Sequence, residues 1–101
     1  MSGKAAKIVC TERQQSILEG ISRSTTAARR LVQRVGIILM AFTGALNVDI
    51  ASQIGLSRKQ VGLWRRRWQQ SFDALVAIEC RESHAALRRA IEDVLSDAPR
   101  S

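Results

Sequence analysis

The 101-residue sequence predicts an all-α fold, on three observations. Apolar residues recur at three- and four-residue steps along most of the chain, and capping residues (Thr11, Ser57, Asp73, Ser83) stand at the heads of those stripes. No segment shows strand alternation or hairpin turn chemistry. The length suits one domain with a modest core and is too short for two of ordinary size.

Met1 to Val9 is small, polar and basic, with no period that a core could use, and residues 1–10 are expected to form an arm. Such arms either reach into a minor groove or remain simple tails. Thr11 and Gln14 have capping-box spacing, and Ile17, Leu18 and Ile21 continue a helix to about Ser22. Ser24, Thr25 and Thr26 are expected to cap the next helix, from about Thr26 to Phe42. There Ala28, Leu31, Val32, Val35, Ile38, Leu39 and Phe42 form the core stripe, with Arg29, Arg30 and Arg34 on the other side. Gly44 closes that helix, and Gly36 inside it, at a cost of roughly 1 kcal/mol relative to alanine, suits a close helix crossing.

Asn47 to Arg67 then predicts two short helices around a glycine turn, a helix-turn-helix. Asn47 is expected to cap the first helix, Ile50, Ala51 and Ile54 to form its stripe, and Gly55 to end it in a left-handed conformation. Leu56 fills the turn. Ser57 opens the second helix with Gln60 at capping-box spacing, and Val61, Trp64 and Trp68 form its apolar stripe. Gln69 to Glu82 contains neither Gly nor Pro. A break at Asp73 is expected, with a short helix carrying Leu75, Val76 and Ile78, and a last helix capped by Ser83 carrying Leu87, Ile91, Val94 and Leu95. The expected plan is an arm (1–10), a helix-turn-helix domain (11–72), additional helices (73–96) and the start of a linker (97–101).

The net charge of +7 is concentrated. Gly20 to Phe72 holds nine basic residues against the single acid Asp49, whereas Asp73 to Ser101 holds four against six acids. The excess lies where a polyanion partner would meet the helix-turn-helix. Cys10 and Cys80 are far apart and near no zinc-ligand pattern, so no metal and no cofactor are expected. Two isolated cysteines without a signal peptide suit reduced thiols in a cytoplasmic protein, although a disulfide stays open. Val35 to Phe42 is too short to span a bilayer, so no membrane role is expected.

Leu31-Val32-Gln33-Arg34, Asn47-Val48-Asp49-Ile50-Ala51, Ile54-Gly55-Leu56-Ser57 and Val61-Gly62-Leu63-Trp64-Arg65-Arg66-Arg67-Trp68, taken in order, carry a likeness. Over about Thr11 to Phe72 the chain resembles the amino-terminal DNA-binding region of bacterial transposases of the insertion sequence 630 group, relatives of the mariner transposases. The resemblance implies a homeodomain-like helix-turn-helix that recognises transposon terminal inverted repeats in a nucleoid-associated bacterial protein. A separate domain with three carboxylates and bound magnesium performs the chemistry in such enzymes. No residue of this chain is expected to be catalytic, and Asp73 to Leu95 is longer and more helical than the usual connection.

The expected DNA contacts are Ser57, Arg58, Lys59, Gln60, Gly62, Arg65, Arg66 and Arg67. Arg58 suits a bidentate contact to guanine, and Gln60 suits adenine or its capping role alone. Gly62 would let the helix approach the bases, and Arg65, Arg66 and Arg67, about 100° apart, would clamp phosphates on both groove walls. Trp64 and Trp68 are expected in the core, and His84 on the surface. Double-stranded DNA is the expected partner, with a homodimer through the C-terminal helices possible. The competing readings are a stand-alone transcriptional regulator, and a protein-interaction module docking through Leu87, Ile91, Val94 and Leu95.

Overall fold

The computed structural model describes residues 8–96 and contains, among them, helices and no strand: α1 (Glu12–Ser22), α2 (Arg29–Phe42), α3 (Asn47–Ile54), α4 (Arg58–Arg81) and α5 (His84–Val94). The expectations for Met1 to Lys7 and for Asp97 to Ser101 lie outside the described residues. The helix ends follow the local chemistry closely. Thr11 Oγ1 accepts the Gln14 backbone N–H at 3.1 Å while Gln14 Oε1 accepts that of Thr11 at 2.9 Å, a complete capping box. Ser83 Oγ accepts the Ala86 N–H at 3.2 Å and starts α5. Gly44, at φ +100°, ends α2, with its N–H bonded to Ala41 O at 3.0 Å and that of Ala45 to Met40 O at 3.1 Å.

Helix α2 starts later than about Thr26. Ser24 Oγ takes the N–H groups of Thr26 (3.2 Å) and Ala27 (3.1 Å), which closes a turn ahead of the helix, and Ala28 occupies the cap position with no side-chain bond. From there α2 runs through the middle of the molecule against α1, α3 and α4. It buries Val35, Ile37, Ile38 and Ala41 in one cluster with Ile17, Leu18 and Ile21 of α1, Ile50 of α3, and Val61, Trp64 and Trp68 of α4. Gly36 faces α3: a Cβ there would stand 3.3 Å from Ile54 Cδ1, so the glycine sets the close approach of the two helices.

Two expectations are corrected. Helix α4 does not break at Asp73 but continues to Arg81, since its buried stripe of Val61, Trp64, Trp68 and Leu75 keeps one helical phase throughout. Asp73 falls on the exposed side, where it costs little helix propensity and has no reason to end the backbone ladder. Leu75, Leu87, Ile91 and Leu95 belong to the same core as α1 to α3, so the additional helical residues 73–96 pack back onto it. Order also begins ahead of Thr11: Ile8 is buried, and Val9 O accepts the Trp68 Nε1–H at 2.9 Å.

The junction of α1 with the far end of α4 is polar. Thr11 Oγ1 donates to Glu79 Oε1 at 2.7 Å, and Arg13 Nη1 donates to Glu79 O at 3.2 Å. Among the described residues, no helix is long and apolar enough to cross a membrane.

Candidate nucleic-acid interface

Helices α3 and α4 are separated by Gly55, Leu56 and Ser57 alone. Gly55 sits at φ +87°, a backbone region that side chains disfavour, and Ala51 O receives both the Gly55 N–H (2.8 Å) and the Leu56 N–H (3.1 Å). Ser57 Oγ then accepts the Gln60 N–H at 3.1 Å. Only this half of the capping box forms, and the Gln60 side chain stays exposed. The result is a helix, a three-residue turn and a second helix whose first turn projects outward.

Asn47 does not cap α3. Leu46 holds the extended cap conformation without a side-chain bond, and Asn47 is the first helical residue. Its amide lies beside α4, where a Cβ on Gly62 would be 3.7 Å from Asn47 Nδ2, an ordinary contact. Gly62 therefore opens a hollow between the start of α3 and α4 without being forced by it. Asn47, Arg58, Lys59, Gln60, Gly62, Leu63 and Arg66 line that hollow. Arg58, Lys59 and Arg66 are exposed and have no hydrogen-bond or ion-pair partner among the described residues. A hollow with three unneutralised cations on its walls carries a positive potential.

Five of the eight expected contact residues, Arg58, Lys59, Gln60, Gly62 and Arg66, come together there, and Ser57 holds the turn beneath them. Arg65 does not belong with them. Its side chain is 5% exposed, its Nη1 donates to Ala45 O at 3.2 Å, and burial pulls its guanidinium below the usual arginine range. The cause was visible in the spacing: Arg65 lies four residues after Val61 and three before Trp68, on the same face as both. Arg67 is half-turned inward. Its guanidinium lies 4.9 Å from the centre of the Trp64 ring, and its Nη1 donates to Ser96 O at 3.4 Å. Arg34, expected on the solvent side of α2, does likewise, at 4.2 Å from the same ring with a 3.0 Å bond to Leu95 O. These two arginines satisfy carbonyls at the end of α5, which a helix cannot satisfy internally, and Trp64 carries both.

No protein-family model, no curated protein and no solved structure matches the chain. The site accordingly stands on its own geometry. Asn47, expected only as a cap, and Leu63 are the lining residues absent from the expected contacts. Leu63 carried a signal, being the apolar residue out of phase with the buried stripe of Val61, Trp64 and Trp68. Among the described residues, no group of three or more His, Cys, Asp or Glu is arranged to hold a metal ion.

The stripe of α5 is also accounted for. Leu87, Ile91 and Leu95 are fully buried in the chain's own core, so docking a partner through them would require α5 to leave it.

Proposed function

We propose that this chain is a double-stranded DNA-binding module that places the first two turns of α4 in the major groove. The observation that carries the proposal is the hollow beside Gly62, walled by unpaired Arg58, Lys59 and Arg66 at the exposed start of the second helix of a helix-turn-helix. A helix of this slimness fits the major groove, its first turn is the part that meets base edges, and cations on its flanks meet phosphates. The likeness of Asn47 to Trp68 to transposase DNA-binding regions extends the proposal to a target: the terminal inverted repeats of a mobile element. No catalytic step is assigned to the chain.

The test is a duplex titration across a salt series. Each neutralised phosphate contributes about −0.9 to the slope of log affinity against log salt, so three contacts from Arg58, Lys59 and Arg66 give a slope near about −3. A count that included Arg65 and Arg67 would give about −5 by the same rule. A flat salt response would refute the proposal.

A further inference from the structure

Leu63 is 42% exposed, one of few large apolar side chains left to solvent among the described residues, and it occupies an unusual place. At about 100° per residue, Val61, Trp64, Arg65 and Trp68 lie between about 100° and 200° around α4 from Leu63, which is the buried side. Lys59 and Arg66 lie only about 40° and 60° from it, one turn before and one turn after. Leu63 thus stands on the outward face, with Lys59 and Arg66 together on one ridge beside it and Gly62 next to it, whose missing side chain leaves its flank open. A leucine contributes nothing to phosphate binding, and water is a poor neighbour for it. Beside base edges in the major groove, the apolar group that a leucine meets is the C5 methyl of thymine.

We infer that Leu63 is a specificity-determining residue that recognises a thymine methyl group in the bound duplex. The inference rests on the proposed DNA binding and deepens it: Lys59 and Arg66, on one ridge, hold the backbone, and Leu63 beside them selects a 5-methylated pyrimidine. A partner protein seated on the same face would need acidic groups around an apolar pocket. The charge pattern favours DNA, because Lys59 and Arg66 stand exposed and unpaired beside the leucine, as cations that meet phosphates stand beside side chains that meet base edges.

The experiment begins with a duplex enriched by the full chain from a random-sequence library. Each thymine in that duplex is then replaced singly by deoxyuracil, which removes only the methyl. For the wild-type chain, one position is expected to lose about fourfold in affinity, the fold-change matching one buried methyl group. Leu63→Ala, at an exposed position that favours helix, is expected to keep its circular dichroism spectrum and its salt slope. It should bind the thymine and deoxyuracil duplexes equally at that position. Salt-dependent binding of an enriched duplex, with no deoxyuracil effect or with the same effect in Leu63→Ala, overturns the inference and leaves DNA binding standing. Failure to enrich any duplex, with no salt-dependent binding, overturns both and points to a protein partner for this face.

Discussion

Arg65 and Arg66 are neighbours of identical chemistry, and their expected behaviour on substitution is opposite. Arg65 is almost wholly buried and bonded to Ala45 O at 3.2 Å, whereas Arg66 is exposed on the wall of the hollow. Replacing Arg65 by alanine removes a charge-assisted hydrogen bond, worth about 1.5–3 kcal/mol, and the packing of the aliphatic stem. Relief of a desolvated charge and the better helix propensity of alanine offset part of this, leaving a loss of roughly 2–3 kcal/mol. For a domain of this size each kcal/mol moves Tm by about 4–8 °C, so a drop of roughly 10–20 °C is expected. Arg66→Ala should change stability by no more than about 0.5 kcal/mol. It should, however, flatten the salt slope of duplex binding by about 0.9. Thermal melts followed by circular dichroism, and anisotropy titrations at several salt concentrations, measure both quantities on both variants. An Arg65→Ala chain that melts like wild type and loses one unit of salt slope would refute the inward placement of Arg65 and the phase assigned to α4.

Trp64→Ala should cost roughly 3–5 kcal/mol, since it empties a buried ring site and strips Arg34 and Arg67 of their shared aromatic support. Denaturant melts check this, and an unchanged midpoint would place the ring outside the core. Cys10 is half-buried, and burial pushes its thiol from 9.0 up to about 12, whereas Cys80 is exposed. Alkylation at pH 8 should therefore label Cys80 quickly and Cys10 only on unfolding, as peptide mass mapping would show. Because the folded chain holds the Cys10 proton after the unfolded chain has released it, stability should fall as pH rises from about 9 to about 12. A serine variant at Cys10 should lose that part of the alkaline decline.

The parts of the fold legible in the sequence were those fixed by neighbours along the chain. The Thr11 and Gln14 box, the turn glycines Gly44 and Gly55, and the caps Ser57 and Ser83 each depend on residues within a few positions, and each forms. Asn47 and Thr26 were misplaced as caps on local grounds, and the larger errors arose where a distant partner decided. Asp73 is a good cap in isolation, but a cap is worth about 1 kcal/mol. Keeping Leu75 in phase with Trp68 joins a core to which α5 also contributes, and that outweighs the cap. In the Arg65-Arg66-Arg67 run, identical letters conceal three environments, and the surroundings of Ala45 O, Trp64 and Ser96 O tell them apart. Ile8 had no periodic neighbours to mark it, since a single buried residue ahead of a helix has no pattern.

Arg67 and Trp68 are consecutive residues near the middle of α4, and between them they hold both ends of the described chain, through Ser96 O and Val9 O. Both ends are thereby fastened to adjoining residues of one helix, with Arg34 on Leu95 O and Thr11 on Glu79 as further ties. The helix proposed to meet DNA at its first turns is gripped less than three turns further on by the segments around Val9 and Ser96. A load applied along the Ser96 segment would meet Arg67, one peptide bond from Arg66, and one applied along the Val9 segment would meet Trp68, two peptide bonds from it.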